Sequence, residues 1–125
     1  LPATDPRIEG TVAAVESDLD RGGFEDRYRT ESGVDGLPKG EGAFLLCTFW
    51  LADNYALMGR YADARRVFED LLAIRNDVGL LAEEYDPKAR RHLGNFPQAF
   101  SHLGLINTAR NLTQREKPSE VRQSA

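Results

Sequence analysis

The chain is poor in the residues that announce redox or metal chemistry, with one cysteine and two histidines among 125 residues. Cys47 has no partner for an internal disulfide and lies in an apolar stretch. It reads as a small buried hydrophobe in a reducing compartment, so a cytoplasmic location is expected. His92 and His102 stand apart from each other and from Cys47, which makes no zinc pattern. Neither a metal nor an organic cofactor is implied. No apolar run approaches the length of a membrane span, and no charged segment leads into a hydrophobic secretory core. Basic residues are outnumbered 16 to 20 by acidic ones, for a net charge of -4. Nucleic-acid binding needs a concentrated basic surface, so that class of partner is set aside. The chain opens Leu1-Pro2-Ala3 without an initiator methionine and reads as cut from something longer.

What is present is an ordinary globular composition, 41% hydrophobic and 29% charged, in one domain's worth of chain. Asp5-Pro6 is a strong helix start, because Asp caps an orphan amide and Pro at the first position has none to leave unpaired. Ile8, Val12, Val15 and Leu19 follow at helical spacing, predicting a helix over 6–19 that ends at Gly22-Gly23. Phe24 to Thr30 alternates weakly and can be extended, and Ser32 to Glu41 is a Gly/Pro/Asp loop. Residues 42–58 are apolar almost all round, predicting the most buried helix. Ala64, Val67, Phe68, Leu71 and Leu72 share one face of a helix over 61–75. Pro97 opens a fourth helix over 97–111, expected to turn Phe100, Leu103, Ile106 and Ala109 inward. The polar tail 114–125 is expected to be disordered. An isolated bundle gives each helix a polar face, so the all-apolar helix implies the inner layer of a two-layer helical assembly.

Chemistry concentrates in the non-periodic stretch Gly79-Leu80-Leu81-Ala82-Glu83-Glu84-Tyr85-Asp86-Pro87, followed by Leu93-Gly94-Asn95-Phe96-Pro97 and the fourth helix. Three crowded carboxylates repel one another, so one can hold its proton to higher pH. A solvated acidic loop explains the same residues without chemistry. Glu41 sits between Gly40 and Gly42, where the backbone can approach a ligand closely. It is either a hydrogen-bond partner for a ligand or a helix-start acid facing the dipole. Trp50, at helical spacing with Leu46, reads as core before it reads as a stacking platform, and Phe100 carries the same ambiguity. Ser101 and His102 are neighbours on a helix and point different ways, so no nucleophile–base pair follows. His92 falls in a basic run, Lys88 to His92, that reads as a solvated loop.

The order of these segments resembles the C-terminal part of glycoside hydrolase family fifteen, the inverting glucoamylases and trehalases, and most closely its bacterial members. Asp5-Pro6-Arg7 with Thr11-Val12, Gly22-Gly23-Phe24 through Arg27-Tyr28-Arg29, and Glu41-Gly42-Ala43-Phe44 with Cys47-Thr48-Phe49-Trp50-Leu51 carry the likeness. Glu83-Glu84-Tyr85-Asp86 carries it furthest. The resemblance implies an all-α fold in which four helices form the C-terminal part of an (α/α)6 toroid, with residues 1–113 in the catalytic domain. It assigns Glu83 as the general base, and Glu41, Tyr85 and Phe100 as substrate-binding elements. Glu84 matches a position that is Gln in some members. The implied reaction is exo-acting hydrolysis of an α-glucoside or oligosaccharide to release glucose.

The family's general acid lies upstream in a segment resembling Gly-Ile-Trp-Glu-Val-Arg-Gly, and this sequence contains no such motif. An inverting glycosidase needs two carboxyl groups about 6.5–9.5 Å apart, so the chain is expected to be inactive alone. Apolar surface that missing neighbours would cover predicts a homo-oligomer. A second reading is an interaction module: Tyr55-Ala56-Leu57-Met58-Gly59-Arg60-Tyr61 through Phe68 resembles the turn of a tetratricopeptide repeat. No second copy follows about 34 residues away.

Overall fold

The computed structural model describes residues 1–29 and 42–114. Its first helix, α1, spans Pro6–Leu19, with the Asp5 carboxylate accepting from the Arg7 amide at 3.0 Å and Pro6 in the first turn. The start and end fall where the cap and the Gly-Gly pair predict. Strands β1 (Asp20–Arg21) and β2 (Phe24–Glu25) form a tight antiparallel hairpin around Gly22 and Gly23. Both glycines have positive φ, +64° and +91°, the conformation that a two-residue hairpin turn demands. The weak alternation after Phe24 thus yields a strand of two residues, while Thr30, the loop to Glu41 and the tail from 115 onward lie outside the described residues.

Strand β3 (Ala43–Phe44) runs directly into α2 (Leu45–Leu57), and Gly59 at φ +80° turns the chain into α3 (Tyr61–Ala73). After a turn organised by the Asn76 side chain come β4 (Glu84–Asp86), β5 (Arg91–Leu93) and α4 (Ala99–Thr113). Strands β3, β4 and β5 form an antiparallel sheet, with Ala43 opposite Tyr85 and Tyr85 opposite His92. The four helices among the described residues are the four expected, and they are compatible with part of an (α/α)6 toroid. The small sheet is an addition, because strands of two or three residues are too short to display a period.

Helix α2 is the centre of the core, with Leu45, Phe49, Leu51, Ala52, Tyr55 and Ala56 buried and the Phe49 ring edge-on to Phe68. Helix α3 covers it with Ala64, Val67 and Leu71. Trp50 departs from expectation: it is 54% exposed rather than core. Helix α4 departs further. Its buried stripe is Ser101, Gly104, Thr108 and Asn111, whereas Phe100, Leu103 and Ile106 are each more than half exposed. Close approach explains the inversion. A Cβ on Gly104 would lie 3.0 Å from the Phe49 side chain, Thr108 donates to the Phe49 carbonyl at 3.3 Å, and Asn111 donates to the buried Asp53 carboxylate at 2.8 Å. Small and polar side chains let α4 lie tightly on α2, and the apolar ones are left outside. The start of α4 also shifts: Gln98 caps it, and Pro97 precedes it after a cis peptide bond from Phe96.

One buried group opposes this packing. Glu25 is 2% exposed, its Oε2 has no hydrogen-bond partner, and burial pushes its pKa to about 7, helped by the charges of Asp20, Glu16 and Asp26. The folded state therefore holds this proton more tightly than the unfolded chain, and stability falls as pH rises through the window from about 4.5 to about 7. Glu25→Gln should flatten the dependence and, at pH 8, stabilise the protein by about 1–3 kcal/mol. Thermal unfolding from pH 5 to 8 checks this, and an offset between variant and wild type that stays constant across the range would refute it.

Candidate active site

The three carboxylates singled out in the sequence do not form one crowded cluster. Each is tied to its own backbone amide or amides. Glu83 Oε2 accepts from the Asn95 N–H at 3.1 Å, Glu84 Oε2 from Gly42 at 3.0 Å, and Asp86 Oδ1 from Lys88 and Ala89, both at 3.0 Å. The Ala89 amide does most to hold the Asp86 carboxyl below its ordinary range, so this residue is the ionised cap of the β4–β5 turn. Glu84 staples the chain at Gly42 to β4. The glycine beside Glu41 is required by that staple: a Cβ at Gly42 would lie 2.7 Å from the Tyr85 carbonyl oxygen. Its small size thus serves strand pairing.

Glu83 is placed differently. Its backbone N–H donates to the Asn95 carbonyl at 2.9 Å, and its carbonyl accepts from Leu45, the first residue of α2, at 3.1 Å. The side chain lies over the turn after β5, where Gly94 has φ +71° and an added Cβ would stand 2.8 Å from Glu83 Oε2. Among the described residues Oε1 makes no hydrogen bond. A carboxylate with one oxygen fixed and the other open can align a water molecule and take its proton.

Of the substrate-binding candidates, Glu41 lies outside the described residues. Tyr85 is 9% exposed, its ring packed 5.4 Å from Phe24 and edge-on to His92 at 5.5 Å, so it forms the floor beneath β4 and not an open wall. Phe100 is 59% exposed on α4. His92, expected in a solvated loop, is half-buried in β5, with Nε2 2.7 Å from the Ile74 carbonyl. Sequence reasoning missed Asn95 and Gly94 as partners of Glu83. The spacing Gly94-Asn95 after a short strand was the available signal, since a Gly-Asn turn presents a free amide.

A groove of about 330 Å³ between α1 and α2 is lined mainly by apolar residues, with Glu25 at one side. Neither this groove nor the neighbouring clefts at Asp70 and Asn76 include Glu83. No group of three His, Cys, Asp or Glu side chains suited to a metal occurs among the described residues, and no helix there is long and apolar enough to cross a membrane.

With the carboxylates so arranged, the likeness to known proteins is specific. The profile of glycosyl hydrolases family 15 matches residues 1–110, and the chain belongs to that family. A trehalase of Mycolicibacterium smegmatis is 43% identical over 120 residues, 96% of this chain and 18% of the relative. A trehalase of Mycobacterium tuberculosis is 42% identical over the same length, and one of Thermoplasma volcanium 44% over 115 residues, 91% of this chain and 18% of the relative. The chain thus spans under a fifth of the length of these relatives. No solved structure matches it. Family membership accounts for the α2–α3 hairpin at Gly59 without a repeat module.

Gly94 offers a direct test of the seat. Gly94→Ala combines a positive φ with a Cβ inside contact distance of Glu83, and should destabilise the protein by about 1–3 kcal/mol. Urea unfolding measures this, and an unchanged midpoint would contradict the geometry.

Proposed function

We propose that this chain is the base-bearing part of an inverting, exo-acting α-glucosidic hydrolase that releases glucose, with trehalose as substrate. The family and the trehalase relatives support the class of reaction and substrate. Glu83 is the base. The observation that carries this role is the asymmetric seat of its carboxylate, Oε2 on the Asn95 amide and Oε1 open. In inversion, the base draws a proton from water as that water attacks the anomeric carbon from the face opposite the leaving oxygen. The general acid on the other face comes from polypeptide beyond these 125 residues, and the chain alone is inactive. Residues 1–113 then form the C-terminal portion of the catalytic domain in a cytoplasmic enzyme. Phe100 offers an exposed ring to a sugar, Tyr85 supports the strand behind Glu83, and Glu41 is a partner for a sugar hydroxyl. The exposed Phe100, Leu103 and Ile106 are the surface through which the isolated chain self-associates.

The test is a pair of substitutions in the complete hydrolase. Glu83→Gln preserves shape but cannot accept the proton, so kcat should fall about 10²-fold or more with KM little changed. Glu84→Gln keeps an oxygen for the Gly42 amide and should be far milder. Equal losses, or a larger loss from Glu84→Gln, would move the base elsewhere.

A further inference from the structure

Helix α4 approaches the segment before Glu83 with three consecutive grips. The Gln98 N–H donates to the Leu81 carbonyl at 3.0 Å, Ser101 Oγ donates to the Ala82 carbonyl at 2.7 Å, and the Leu81 N–H donates to His102 Nε2 at 3.3 Å. Leu81 and Ala82 are fully buried, so none of these backbone groups can turn to water instead. The adjacent Ser101 and His102 do not pair with each other. They reach backbone groups of two successive residues, Ala82 and Leu81.

The imidazole of His102 is fixed at both nitrogens. Nε2 accepts from Leu81 and so carries no proton, while Nδ1 lies 2.7 Å from the Gln98 carbonyl and must carry it. The ring is therefore neutral in a single tautomer, and it links the first turn of α4 to the peptide two residues before Glu83. From Leu81 to Glu83 the chain has no secondary structure of its own to define its position. Its register comes from α4 on one side, and from Leu45 and Asn95 at Glu83 itself.

We propose that His102 is a positioning residue for the hydrolytic reaction: its neutral ring, with Ser101, sets the height of residues 81–82 on α4 and thereby places the Glu83 carboxylate against its water. This rests on the reading of Glu83 as base. His102 touches neither substrate nor water in this role and acts only through the backbone. A shift of about 1 Å in a reacting group can cost about 10²-fold in rate, so a hydrogen bond two residues away is enough to matter.

In the complete hydrolase, His102→Phe keeps an aromatic ring but offers Leu81 no acceptor. Its kcat on trehalose should fall about tenfold to a hundredfold with KM nearly constant. His102→Gln can accept from Leu81 and donate to Gln98, and should recover most of the loss. Hydrogen exchange at the Leu81 amide should speed up in the Phe variant and return toward wild type in the Gln variant. A Phe variant with wild-type kcat and Leu81 protection overturns the proposal, and so does a Gln variant as damaged as Phe. If the Phe variant does not fold, nitrogen NMR of the wild-type protein decides. A protonated Nδ1 and bare Nε2 are expected at neutral pH, and the opposite tautomer or a doubly protonated ring refutes the clamp. The exchange and nitrogen signals are independent of what Glu83 does. An active Glu83→Gln enzyme would therefore remove the base assignment while leaving the clamp to be judged on its own signals.

Discussion

The hydrogen bonds that hold residues 81–83 decide what the rest of the fold must provide. This segment has neither a helical ladder nor a strand partner along its length, yet Leu81 and Ala82 are buried and their polar groups have to be satisfied. The start of α2, the turn after β5 and the first turn of α4 each contribute a partner. Those elements can converge only because α2 is the buried axis of the core and α4 lies on it through Gly104. A carboxylate delivered by such a segment is fixed by three independent supports without being enclosed.

Legibility in the sequence tracked the strength of local signals. The Asp5-Pro6 cap and the Gly22-Gly23 pair define α1 and its hairpin, and the continuous apolar character of 42–58 marks the central helix. The orientation of α4 was not legible. Phe100, Leu103 and Ile106 form a convincing inward stripe by hydropathy, while the helix packs through Ser101, Gly104, Thr108 and Asn111. Close backbone approach and side-chain to main-chain bonding won over apolar area, and no periodicity rule registers that. Trp50 misled for a related reason: an all-apolar helix has an outer side here. Family resemblance singles out Glu83 in the sequence, whereas its contacts with Asn95 and Gly94 are announced there only by a Gly-Asn pair and become specific in the structure.

The proposed function links the exposed face of α4 with the open Oε1 of Glu83. The chain corresponds to about 18% of the length of its trehalase relatives. In the proposed hydrolase, further helices cover the apolar face and bring an acidic group to the far side of the sugar. The buried Glu25, whose Oε2 lacks a hydrogen-bond partner, is a separate matter. It lines the groove between α1 and α2, and its buried charge bears on stability.

If Glu83 activates a water on the face opposite the leaving oxygen, the configuration of the product reports it directly. Trehalose joins two glucose units through their α-anomeric carbons. Proton NMR of the sugar released by the complete hydrolase, taken before mutarotation, should show β- and α-glucose in equal initial amounts, because one unit is inverted and the other leaves unchanged. Release of α-glucose alone would mean retention through a covalent intermediate, and would contradict the role assigned to Glu83.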